Sequence, residues 1–158
     1  MTTAAPYEAS TIARWFLAWA RFDEEGVISN LKLQKLLYYA QGHYIANHDG
    51  NPLFGDPIQA WGHGPVVPAV YHEFKKFGSN AIEFEDEFDF SSIDRDTSGW
   101  LAAVWKTHGA RSAWALREMT HNEAPWKDTY QDGVRETTIP TAALERYFGS
   151  LWSEARPV

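Results

Sequence analysis

The chain has 158 residues, enough for one domain with a substantial core, and its 44% hydrophobic and 22% charged residues read as globular rather than disordered. Its 14 Lys plus Arg against 21 Asp plus Glu give a formal net charge of −7, a poor footprint for phosphate backbones and a better one for a basic protein partner. There is no cysteine, which excludes disulfides, thiolate catalysis and the cysteine zinc sites.

Eight Trp, seven Tyr and nine Phe are a heavy aromatic load. Most of these rings belong in a core, and some are free to anchor a partner. Met1 to Pro6 lacks the basic and apolar regions of a signal peptide, and no apolar run approaches the roughly 18 residues of a membrane span. A cytoplasmic protein is expected, with no membrane partner, as a single domain over residues 1–158 whose core runs from about 8 to 152.

Glu8 to Phe22 reads as a helix, with Ile12, Trp15, Phe16 and Trp19 on one stripe. Asp23-Glu24-Glu25-Gly26 breaks it. Ser29 is a good N-cap, and a second helix follows from Asn30 to about Asn47. Leu33, Leu36, Leu37, Ala40 and Tyr44 form its inner face, which leaves Lys32, Gln34, Lys35, Tyr39 and His43 expected on the outer one. Asp49-Gly50-Asn51-Pro52 is turn chemistry.

Pro57 to Trp61 predicts a short strand, Gly62-His63-Gly64-Pro65 a tight turn, and Pro68 the first turn of a helix to Phe77. Glu83 to Phe90 alternates acids and aromatics, which fits an edge strand or an extended acidic loop. Helices are predicted from about Thr97 to His108 and from Ser112 to Thr120. A bend at His121 to Trp126 precedes a short helix or turn, a brief strand at Thr137 to Ile139, and a last helix from Thr141 to Trp152. The fold class is mainly α: a compact bundle of about six helices with a small two- or three-stranded antiparallel β element.

Catalytic signatures are sparse. His121-x-Glu123 matches the first half of the zinc deaminase signature, whose second half needs cysteines. Gly62-x-Gly64 has Val67 where a dinucleotide loop needs its third glycine. A metal site of His43, His63, His72, His121 and Glu123 is the basis of an alternative reading, a small metal-dependent hydrolase or nucleotide-processing enzyme. Asn30, Lys32, Gln34 and Lys35 could mimic a DNA-recognition helix. Two lysines on an acidic chain are too few for that, and no direct nucleic-acid partner is expected.

Three stretches are informative together: Ile28-Ser29-Asn30-Leu31-Lys32-Leu33-Gln34-Lys35-Leu36-Leu37-Tyr38-Tyr39-Ala40-Gln41-Gly42, Pro52-Leu53-Phe54 leading to Ala60-Trp61-Gly62-His63-Gly64-Pro65-Val66-Val67, and Thr120-His121-Asn122-Glu123-Ala124-Pro125-Trp126. In order and spacing, from about residue 8 to 150, the chain resembles the Panacea domain, the SocA-like antitoxin family that includes phage-associated GepA-like proteins. The resemblance implies no enzyme and no cofactor. It implies an antitoxin that binds and neutralises a protein toxin encoded by a neighbouring gene, and one branch of the family delivers its toxin to a ClpXP-type protease. It assigns no contact residues. From the residues themselves, the expected partner-binding set is Lys32, Lys35, Tyr39 and His43 on the second helix, with Trp61, His63 and Trp126 at the turn and the bend.

Overall fold

A computed structural model describes residues 5–23, 26–134 and 136–155. Of the expectations above, those resting on Met1 to Ala4 and on Glu24 and Glu25 lie outside the described residues. Seven α-helices are described: α1 (Ala9–Ala20), α2 (Asn30–Asn47), α3 (Pro68–Phe74), α4 (Arg95–His108), α5 (Ala113–His121), α6 (Ala124–Lys127) and α7 (Thr141–Ala155). Three short strands, β1 (Gln59–Trp61), β2 (Gly64–Val66) and β3 (Thr137–Thr138), form an antiparallel sheet in the order β2-β1-β3. The fold is mainly helical, as the sequence predicts.

Cap chemistry sets several boundaries. The Ser29 side chain accepts from the Lys32 N–H at 3.3 Å, and α2 keeps its predicted limits. Asp94 accepts from the Thr97 N–H at 2.8 Å and starts α4 two residues earlier than its apolar stripe indicates. Ser112 caps α5 through the Ala115 N–H at 3.0 Å. Trp61 pairs with Gly64 across a two-residue loop of Gly62 and His63, and Gly64 adopts φ +109°. Residues 83–90 form no strand. They lie at the surface, with Phe84, Phe88 and Phe90 half-buried against the core, and Phe90 opens a 3₁₀ turn over Phe90–Ser92.

α2 is the axis of the molecule. It packs against α1, α3, α4, α5, α7 and β2, so every sector of the helix meets protein. Residues Lys32 through Gly42 are all buried. Its apolar side chains join Ile12, Phe16, Leu101, Leu116 and Phe148 in one core. α7 crosses α2 at Gly42, where an added Cβ would fall on the Phe148 ring. Gly42→Ala is therefore expected to push α7 away and lower stability by about 2 kcal/mol. A chemical-denaturation curve checks this, since it would show a reduced midpoint at unchanged slope.

Candidate functional site

The outer face predicted for α2 does not exist. Lys32 is 5% exposed, Lys35 0%, Gln34 1% and Tyr39 2%, because a helix surrounded on all sides has no solvent face. This corrects the placement of Lys32, Lys35 and Tyr39 as open contact residues. It also removes α2 as a mimic of a DNA-recognition helix. The polar side chains instead reach into the surrounding loops and satisfy backbone groups there.

Asn30 Nδ2 donates to the Tyr71 carbonyl at 3.0 Å, and Gln34 Oε1 accepts from the Val67 N–H at 3.0 Å. Lys32 Nζ donates to the Gly109 carbonyl at 2.6 Å. Gln41 clamps one bend from both sides, accepting from the Leu53 N–H at 2.8 Å and donating to the Phe54 carbonyl at 2.7 Å. Lys35 Nζ donates to the Pro65 carbonyl at 3.0 Å beneath the hairpin. Burial, with a smaller push from the Arg117 charge, lowers the Lys35 ammonium to about 7.

A second buried centre ties α2 to the start of α6. Tyr38 and Tyr39 each donate to one oxygen of the Glu123 carboxylate at 2.9 Å, and Tyr147 of α7 adds a third phenol. Burial outweighs these donors and raises the Glu123 carboxyl above its ordinary range. The His108 ring stacks on Tyr39 at 4.2 Å, and burial, then the neighbouring His43 and Arg111, lower it to about 4. His43 is half-buried and accepts from Trp152 Nε1 at 3.2 Å, so it too faces α7 rather than solvent.

The remaining predicted residues do converge. Trp126 Nε1 donates to the Trp61 carbonyl at 2.7 Å, and its ring lies between His121 at 3.9 Å and Tyr130 at 4.7 Å. Trp61 is half-buried, edge-on to Tyr71 at 5.0 Å. His63 stands exposed at the hairpin tip, where its Nδ1 accepts from Arg117 Nε at 3.1 Å. The same guanidinium covers the ring of Trp114 at 4.3 Å, and Trp114 is 57% exposed.

Two clefts flank the tip. One of about 470 Å³ is lined by Trp61, Tyr130, Val134 and Glu136, and one of about 320 Å³ by Trp61, His63, Tyr71 and Lys75. The sequence reading missed Trp114, Arg117 and Tyr130. Trp114 lies two residues from the buried Leu116, on the opposite side of α5, and that spacing was the available signal. The ligand set of the alternative enzyme reading does not assemble. Glu123 is held by phenols and His121 stacks on Trp126, and among the described residues no three His, Asp or Glu side chains are grouped to hold a metal ion.

The hairpin, the Tyr38–Tyr39–Glu123 cluster and the Trp114, Arg117 and Trp126 side chains fall within residues 33–127, the stretch matched by the family model for the SocA-like antitoxin Panacea domain, whereas Tyr130, Val134, Glu136 and Tyr147 lie beyond it. The chain belongs to this family. Antitoxin SocA of Caulobacter vibrioides (strain NA1000 / CB15N) is 36% identical over 110 residues, 63% of this chain and 58% of the relative. The match thus spans less than two thirds of that relative's length. No solved structure matches. The Panacea segment runs from α2 through α6, and α2 side chains hold the other two diagnostic stretches in place: Gln34, Lys35 and Gln41 hold the second, Tyr38 and Tyr39 the third. The motif residues of α2 thus build the scaffold under the hairpin. Among the described residues no helix is long and apolar enough to cross a membrane.

Proposed function

We propose that this chain is an antitoxin that neutralises a protein toxin, encoded by a neighbouring gene, through direct binding at the hairpin face. The carrying observation is that the segment matched to the antitoxin family presents Trp61, His63, Trp114, Arg117 and Trp126 together on one surface. Partly exposed Trp and Arg side chains are the residue types that dominate binding energy at protein interfaces. Here hydrogen bonds and stacking pre-order them, so little side-chain freedom is lost on binding. Tyr39 and Lys35 support this face from beneath rather than touching a partner.

The test is titration of the purified neighbouring gene product with the wild-type chain and with a Trp61→Ala/Trp114→Ala variant. The double variant is expected to keep its fold and to lose about 2 kcal/mol or more of affinity, roughly thirtyfold. Undiminished affinity in the folded double variant would move the contact surface away from the hairpin. No association of the wild type would end the antitoxin reading for that pair.

A further inference from the structure

The alternating acidic and aromatic segment from Glu83 to Phe90 takes no part in the hairpin face. Its rings extend an aromatic series that begins inside α1. Trp15, 1% exposed, stacks on Trp19 at 4.9 Å, and Phe90 stands edge-on to both, at 6.3 and 6.0 Å. Phe90 then meets Phe88 at 5.3 Å and Phe22 at 6.3 Å. Exposure grows outward along the series, to 38% at Trp19 and 81% at Phe22. Burying a Phe side chain is worth roughly ten- to a hundredfold in an equilibrium constant, so a ring this open is an anchor without its cover.

The rim of this patch is acidic. Arg21, next to Phe22 in the chain, donates through its guanidinium to the Asp86 carbonyl at 2.9 Å, which ties the Glu85–Glu87 stretch to the end of α1. Asp86 itself is 76% exposed and only loosely paired, with Arg14 at 3.8 Å. Asp89 is occupied by Ser91, whereas Glu83, Glu85 and Glu87 are exposed and make no ion pair among the described residues. An apolar centre with carboxylates around it complements an apolar side chain flanked by Lys or Arg. The same carboxylates repel an anionic lipid surface, and a second copy of a chain with net charge −7 is disfavoured for the same reason.

We propose that Trp19, Phe22 and Phe90, rimmed by Glu85, Asp86 and Glu87, form a second docking surface that takes a basic segment of a protein partner with an apolar anchor. This surface comes from α1, the turn that follows it and the 83–90 segment, elements separate from the hairpin, α5 and α6. It stands whether or not the neighbouring gene encodes a toxin.

The full chain is titrated against three fluorescein-labelled 14-residue peptides: a Lys/Leu amphipathic peptide, a Lys/Ser peptide of equal charge, and a Glu/Leu peptide. Anisotropy is expected to show the Lys/Leu peptide binding about tenfold tighter than either of the others. Phe22→Ser should weaken that binding by about tenfold while leaving the melting temperature unchanged, since the ring lies outside the core. Glu85→Lys/Glu87→Lys should weaken it by a similar factor. The charge-matched control Asp128→Lys/Glu145→Lys, at the end of α6 and on α7, should change it by less than about threefold. Equal binding by Phe22→Ser, equal loss in the control, or preference for the Glu/Leu peptide would overturn the proposal. So would a wild-type dimer in sedimentation that Phe22→Ser dissolves, because the patch would then cover itself.

Discussion

Replacing Glu123 with Ala is expected to lower the stability of the fold by about 3–5 kcal/mol, a fall in melting temperature on the order of 10 °C for a chain of this size. The carboxylate is 9% exposed and receives phenols from Tyr38, Tyr39 and Tyr147. Removing it leaves the two buried hydroxyls of Tyr38 and Tyr39 without an acceptor, beside the half-buried Tyr147, and opens a cavity where α2, α6 and α7 meet. Each unpaired hydroxyl costs about 1–3 kcal/mol, part of which collapse of the site or an entering water recovers. Glu123→Gln should fall between wild type and Ala. Its amide oxygen still accepts, but its NH₂ meets a phenol donor. Tyr38→Phe should cost about 1 kcal/mol, because it removes one donor and leaves the carboxylate two others. Calorimetry on this series checks the ranking. A Glu123→Ala protein that melts with the wild type would mean the Tyr38 and Tyr39 phenols are solvated.

The second large effect is a pH dependence. The Lys35 ammonium is lowered from 10.5 to about 7 in the folded chain, chiefly by burial. Between those values the unfolded chain holds a proton that the folded chain does not, so unfolding stability rises with pH across that window. From pH 7 to pH 9 the rise amounts to about 2–3 kcal/mol. Above pH 10 ionising tyrosines of the unfolded chain act in the opposite direction, since burial raises Tyr38 and Tyr39. Lys35→Met keeps the stem and loses the charge, and its stability should be nearly flat from pH 7 to 9. Denaturation curves for both proteins at pH 7, 8 and 9 decide the point. Parallel curves would mean that Lys35 stays charged and hydrated in the folded state.

These two residues also show where the sequence was legible. Helix limits followed from caps and apolar periodicity, and Ser29 and Asn47 bound α2 as read. The Asp94 cap starts α4 two residues before its apolar stripe does. β2 is Gly64-Pro65-Val66, two poor strand formers whose pairing is imposed by the hairpin loop rather than by propensity. The larger difference between periodicity and structure lies in α2. Periodicity assigns an inner and an outer face on the assumption of a single packing partner. Leu31, Leu33, Leu36, Leu37, Tyr38 and Tyr39 together cover every sector of that helix, the pattern of one enclosed on all sides. Its lysines and glutamines therefore had to be buried and paired with backbone. Trp61, His63 and Trp126 are legible as turn and bend residues, and the structure brings them together around the hairpin. Their convergence with Trp114 and Arg117 depends on how α5 lies over the hairpin, which no local pattern encodes.

The most direct measurement of the antitoxin reading is growth under co-expression. The neighbouring gene is induced alone, then with this chain, then with the Trp61→Ala/Trp114→Ala variant. Arrest by the neighbour alone, rescue and co-purification with the wild-type chain, and poor rescue with the variant are the predicted results. A neighbour that arrests growth and is neither relieved nor bound by the wild-type chain would contradict the account.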